Sequence, residues 1–442
     1  MERGVRCEYP KTYRRVRGAM AVSVVAIGSI FSGAIVSRQA DAAPATAKKS
    51  HALEYVGFDD SNAWLPVKVK PGDVMQPSKE ADEIMSEDAA AGAKYIRLFL
   101  PFYAGKNDIG NIEDAGSDIN RTCNSVIAAY KHGMKTIFTF VGRKKDGSLG
   151  YFPQYGLAQD LARKVFNQYE NEVYGENGCL TKRLLSDGEL PATDITLSPW
   201  NEPNNDRFIT DPKNPKTIDQ YVNFITDVED QSSRNEDKLT GSLQQAAREA
   251  GLPEEEVQTI KAKITVFIGE LASRGALGFI KGLCSNEEFK YRKPPVVAVH
   301  VYPASNNEPS SKTHVGDFIG PGDFNRIGNT FQQYCGWQPV LVGTESGRET
   351  DTTGNSNYNG VQPKRLNPIK DEKVQGQLYF TDYNTAACTT NVDGFMIFHK
   401  RDNADRQGWQ SGISDPNGKP KKSWQQTHDA MIAATQDGGF DC

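Results

Sequence analysis

Two glutamates stand where core strands would end. Glu202 lies in the stretch SPWNEPNND (198–206), directly after the apolar run 194–200, and Glu345 closes the run PVLVGTE (339–345). A carboxylate at the end of a buried strand is badly placed for stability, because desolvating charge costs free energy. As a pair, two such groups can divide a reaction. One, kept neutral by burial or by the other's charge, serves as an acid; the other stays ionised and attacks. Cleavage of a glycosidic bond needs that division of labour.

Eight apolar runs punctuate the chain and would position these groups. They are 53–58, 94–100, 134–141, 194–200, 263–270, 295–302, 339–345 and 394–400. They are rich in β-branched and aromatic residues and mostly lack a polar face, as strands buried on both sides do. Amphipathic helical stretches separate them. Gly92 and Gly133 sit where a helix would stop before the next strand. Strands alternating with helices imply right-handed parallel crossovers, and eight of them predict a closed (β/α)8 TIM barrel of the α/β class. A doubly wound open sheet is the rival, but no glycine-rich phosphate turn follows the first strand. The long polar segments after strands four and six, about 203–262 and 303–338, read as helical insertions. In a barrel of this kind chemistry sits at the C-terminal strand ends, and strands four and seven face each other across the mouth.

Net charge is −5 over 442 residues, which gives no footprint for nucleic acid. Residues 1–42 carry basic residues, then the apolar run AMAVSVVAIGSIFSGAIV and the small-residue pattern Ala40-Asp41-Ala42. This reads as a signal peptide cut after Ala42, with an uncleaved membrane anchor as the alternative. The expected organisation is a signal peptide over 1–42, a flexible mature N-terminus over 43–52 and the barrel over 53–442. The product would be secreted or extracytoplasmic, in a periplasm or at a cell surface, with no membrane association after cleavage. Six cysteines remain beyond Cys7, namely Cys123, Cys179, Cys284, Cys335, Cys388 and Cys442. An even set in an exported chain suggests disulfides, with the pairing left open. The six histidines form no ligand cluster, so neither a metal nor another cofactor is expected.

Set on these strands, WNEPN (200–204) and TES (344–346) resemble clan A of the retaining glycoside hydrolases; RLFLP (97–101) and HVY (300–302) fit the same pattern. The likeness runs over about 53–400, and its context suits family 5 or family 39. It implies that Glu202 is the general acid/base and Glu345 the nucleophile. It also implies that Asn201 bonds the sugar 2-hydroxyl, that Arg97 and Tyr302 contact the nucleophile, and that His300 is their neighbour. The clan often places a tryptophan on strand eight. Here the strand reads MIFHK, so His399, Phe398 or a folded-back Trp409 would fill that place.

Alternatives attach to several positions. Glu270 also ends a strand, and Glu349 follows Glu345 closely. Trp64, Tyr151, Phe152, Tyr155 and Trp409 could stack on sugars or anchor loops, and Trp200 could pack. The expected activity is retaining hydrolysis of a β-linked polysaccharide or glycoside by a monomer. Transglycosylation in wall remodelling and non-catalytic glycan binding are the alternatives.

Overall fold

The computed structural model describes residues 48–442 apart from 61, 66, 68–73, 104–114, 144–166, 210–211 and 362–366. The expected signal peptide, and Tyr151, Phe152 and Tyr155, lie outside the described residues.

The strands are β1 (Tyr55–Asp59), β2 (Tyr95–Tyr103), β3 (Lys135–Arg143), β4 (Asp194–Ser198), β5 (Lys263–Val266), β6 (Ile268–Leu271), β7 (Val296–His300), β8 (Val340–Glu345) and β9 (Val392–Phe398). Every pairing between them is parallel. The order is β5-β4-β3-β2-β1-β9-β8-β7-β6. The two end strands are halves of the single fifth strand read from the sequence, interrupted at Phe267. That residue's N–H donates to Leu197 O at 2.7 Å, so the sheet closes on itself. This is the expected (β/α)8 barrel.

Apolar runs made the strands, and period-two alternation decides what fills the barrel. Tyr55, Tyr95, Ile137, Phe267, Ala298, Val342 and Met396 form a buried cluster separate from the main core. Tyr55 packs against Tyr95 and Phe267 with ring centroids 4.8 and 4.9 Å apart. One alternation further along the strands, the same inward positions carry Arg97, Thr139 and His300. The interior is therefore an apolar plug below and a polar floor above.

The segments read as insertions contain the crossover helices themselves. Helix Pro215–Glu249 is 35 residues long and buries Ile218, Tyr221, Val222, Ile225 and Val228 at helical spacing. Helix Phe324–Cys335 follows β7 in the same manner. Residues 49–51 are tied to the C-terminal region through Lys49–Asp441, Ser50–Phe440 and His51–Ala387 contacts. Among the described residues no helix is long and apolar enough to cross a membrane.

The cysteines pair as neighbours in sequence: Cys123–Cys179, Cys284–Cys335 and Cys388–Cys442, closing loops of 56, 51 and 54 residues. Closing a loop of that length is worth about 4 kcal/mol in chain entropy. Replacing both Cys284 and Cys335 by serine is expected to lower unfolding stability by about 2–4 kcal/mol in urea titrations. An unchanged midpoint would show that this bridge does not restrain the unfolded chain.

Candidate active site

The polar floor is organised by Arg97, which is fully buried. Its Nη1 donates to Glu345 Oε1 at 2.7 Å and also to Asp59 Oδ2. Its Nη2 donates to Asn201 Oδ1 at 2.9 Å and to Glu270 Oε2. Its Nε reaches Thr139 Oγ1 at 2.8 Å and Glu270 Oε1 at 2.9 Å. A guanidinium can fill this role because its donors form a rigid planar fork. Burial alone would pull its pKa down, but Glu270, Asp59 and Glu345 outweigh it and push it well above the usual range. For Asp59 burial prevails: helped by Glu345 and Glu270, it raises the carboxyl well above the usual range despite Arg97.

Glu345 ends β8 and is nearly buried. Besides Arg97, it accepts from the Tyr302 hydroxyl on Oε2 at 2.8 Å. Burial and the Glu345 charge hold the Tyr302 phenol well above its usual pKa, which keeps it a donor. Glu202 lies opposite, after β4. His300 Nδ1 is 2.9 Å from Glu202 Oε1 and 3.4 Å from Glu345 Oε2. Asn205 Nδ2 donates to Glu202 Oε2 at 2.6 Å. Burial disfavours the Glu202 anion, but His300, Asn205 and Arg97 prevail and lower its pKa. His300 is the mirror image: burial disfavours its cation, and Glu345 with Glu202 raises its pKa. The two shifts run in the same sense, each favouring the charged form of its own group.

One oxygen of Glu202, one of Glu345 and His300 Nδ1 lie within 4.8 Å of one another. Such a trio could in principle ligate a metal ion. His300 Nδ1 is already hydrogen-bonded to Glu202, however, and a divalent cation would meet the fixed charge of Arg97 beside Glu345. The set suits proton transfer better than metal binding.

The backbone here is held in sparsely populated conformations. Glu202, Glu270 and His399 have φ of 47°, 45° and 65°, the left-handed region that side chains disfavour. Hydrogen bonds hold two of them in place: Glu202 N–H to Glu270 O at 3.1 Å and His399 N–H to Asp59 O at 2.9 Å. Strain of this kind concentrates at functional sites.

Above the floor is an open cleft of about 590 Å³ walled by Phe99, Asn201, Glu202, Tyr302, Glu345 and Trp409, among others. Trp409 folds back from the loop after β9. Its ring is 5.2 Å from Tyr302 and 5.3 Å from Phe398, and it is 37% exposed, so one face is open to a ligand. His399 is not in that wall; its ring lies 3.9 Å from Phe398, and burial lowers its pKa. Asn201 spends its Oδ1 on Arg97, and its Nδ2 has no protein partner among the described residues.

The structure thus gathers Glu202, Glu345, Arg97, Asn201, His300, Tyr302 and Trp409, and leaves His399 at the margin. Glu270 is fully buried and, unlike Glu345, does not line the cleft; Arg97 holds both its oxygens and Thr139 one of them. Trp200 packs on Phe224 and bonds Phe208 O, and Trp64 is held by Thr122 and Arg121. Asp59 and Asn205 were missed. Their only local signals were an aspartate pair closing the first strand and a second asparagine after the motif.

No family model matches the chain, and no curated protein matches it. Solved structures similar to it include a family 39 glycoside hydrolase from Bacteroides cellulosilyticus WH2, with 13% identity and a TM-score of 0.45, aligned over 82% of this chain. The chain spans 62% of that protein's length. A GH5-4 broad-specificity endoglucanase from Clostridium acetobutylicum has 14% identity and a TM-score of 0.46, covering 86% of this chain and 96% of its own. A monomeric β-xylosidase from Caulobacter crescentus CB15 has 12% identity and a TM-score of 0.45, covering 87% and 69%.

Arg97→Met would strand Asp59, Glu270 and Glu345 without their cation. Removing one partner of a buried ion pair costs about 3–5 kcal/mol, and a loss of that size is expected in urea unfolding. Asp59, whose carboxyl burial already raises, would lose the partner that lowers it. A raised folded-state pKa favours folding at low pH and that contribution is lost as pH rises, so the deficit should shrink on acidification. A loss below about 1 kcal/mol, or one independent of pH, would contradict the hub.

Proposed function

We propose that this protein is an exported, metal-independent retaining β-glycosidase of clan A type, acting as a monomer on a polysaccharide or glycoside. The observation that carries the reading is the placement of Glu202 and Glu345. They stand on opposite strand ends, with an oxygen of each within 4.8 Å, inside an open cleft with an aromatic wall. Double displacement uses carboxyl groups about 5–5.5 Å apart, whereas single displacement leaves roughly 6.5–9.5 Å for a water.

In this reading Glu345 attacks the anomeric carbon, forming a C–O bond as the glycosidic C–O bond breaks. Arg97 and Tyr302 orient its two oxygens. Glu202 supplies the proton to the departing oxygen, drawn from the proton it shares with His300. After the leaving group departs, Glu202 takes a proton from water, whose oxygen displaces Glu345 and returns the anomeric configuration to its starting sense. Asn201 Nδ2 is the free donor for a hydroxyl on the bound sugar, and Trp409 offers a ring face to its CH groups. The three disulfides suit an oxidising compartment, in keeping with export after cleavage at Ala42. Transglycosylation would use the same residues, with a sugar hydroxyl in place of water.

A panel of β-linked glucans, mannans and xylans tests the reading. Wild type should release sugar from at least one, Glu345→Gln from none. Glu202→Gln should fall by about 10²–10⁴ on glycans, and by much less on aryl glycosides whose leaving group needs no proton. Equal sugar release by wild type and both variants would overturn the assignment.

The shared proton also predicts a pH signature. The competent form is the pair carrying one proton, so its basic limit is set by the raised His300. In His300→Asn that reservoir is gone, and the basic limb of kcat/KM should move to lower pH. A limb that stays put would show that His300 holds no part of the catalytic proton.

A further inference from the structure

Two arginines in the cleft wall have side chains without a partner among the described residues. Arg207 and Arg274 line the same cleft as Glu202 and are exposed. Neither side chain makes a hydrogen bond, ion pair or ring contact among the described residues. Every other arginine whose side chain is described is engaged. Some form ion pairs, as Arg248 does with Glu254. Others bind backbone carbonyls, as Arg406 does at Thr352, or lie over a ring, as Arg121 does on Trp64. Asp206, next to Arg207 in sequence, is exposed, does not line the cleft and pairs with neither arginine.

Their backbones are fixed by the two asparagines that follow the Glu202 turn. Asn205 Oδ1 accepts from Arg207 N–H at 3.1 Å, while its Nδ2 holds Glu202. Asn204 Nδ2 donates to Ala272 O and Arg274 O, both at 2.9 Å, and its Oδ1 accepts from Ala272 N–H at 2.7 Å. One stretch of chain therefore sets the acid/base and both cations together. Both arginines accompany Glu202 in the cleft lining. A negative group on a ligand is drawn toward them.

We propose that Arg207 and Arg274 form an anion-binding subsite on the leaving-group side of the cleft, and that the substrate is a β-linked glycan bearing negative charge there, as uronate carboxylates or sulfate esters. This rests on the glycosidase reading and deepens it. Guanidinium groups match carboxylate and sulfate oxygens by paired hydrogen bonds. Because both arginines are solvated, the attraction weakens with salt.

The test uses β-1,4-linked gluco- and manno-hexasaccharides in four forms: neutral, C6-carboxylate, the methyl ester of that carboxylate, and 6-sulfate. The ester keeps the shape and removes the charge. Hydrolysis is followed as the ratio of kcat/KM for acid over ester, and binding by calorimetry on Glu345→Gln. In low salt the ratio should be at least about 10 in wild type. It should fall toward one in Arg207→Gln/Arg274→Gln, and be largely restored in Arg207→Lys/Arg274→Lys. A sulfate preference larger than the carboxylate preference would identify the ester as the charged group. Calorimetry separates the two claims. If no form is hydrolysed but the acid or sulfate still binds more tightly than the uncharged forms, and only with the arginines present, the subsite stands and the hydrolase reading falls. A ratio near one in wild type with no charge discrimination in binding, or a preference that survives the double glutamine variant, overturns the subsite.

Discussion

A single buried cation holds the site together. Arg97 sits on the second strand of a closed barrel, where its fork reaches Asp59, Glu270 and Glu345 on three other elements. Three ionised carboxyl groups around one guanidinium would leave excess negative charge in a region that water does not reach. Two features act against this: burial pushes the Asp59 carboxyl toward its neutral form, and His300, whose pKa the glutamates raise, stands between the two that face the cleft. Each device depends on the others. The upward push on Asp59 comes in part from its carboxyl neighbours, and the Glu202–His300 pair needs a barrel mouth narrow enough to bring strand ends within a few ångströms.

The barrel supplies that narrowness, and it tolerates conformations that a looser scaffold would relax. Left-handed backbone at Glu202, Glu270 and His399 costs on the order of 1–3 kcal/mol at each residue. Glu202 and His399 follow strands and Glu270 sits at a register shift in β6; the Glu202 N–H to Glu270 O and His399 N–H to Asp59 O bonds tie them to neighbouring elements. The apolar layer of Tyr55, Tyr95, Phe267 and their neighbours fills the interior beneath, so the polar floor rests on packed side chains. Three disulfides tie peripheral helices and the C-terminus at a distance from the chemistry.

Much of this was legible in the sequence where the signal is local. Each strand showed itself as a short run of β-branched and aromatic residues. Once the count reached eight, the ends of the fourth and seventh placed Glu202 and Glu345, and alternation put His300 and Tyr302 on one face. What stayed hidden depends on the closed circle. Glu270 read as a possible nucleophile because nothing near it in sequence says that Arg97, on another strand, claims both its oxygens. Asp59 carried no signal beyond its position at a strand end. The cysteine pairing follows from which helices pack together. Trp409 was one of three ways to fill an aromatic place, and only the path of the loop after β9 selects it, with Phe398 behind it.

The central claim is that two carboxyl groups act from opposite faces of one bond at close range. Proton NMR of the first product released from a β-linked glycan, recorded before mutarotation scrambles the anomers, tests it most directly. The account predicts that the new reducing end appears first as the β anomer. An initial α anomer would mean that water attacks directly, and that Glu345 is not the group that meets the sugar.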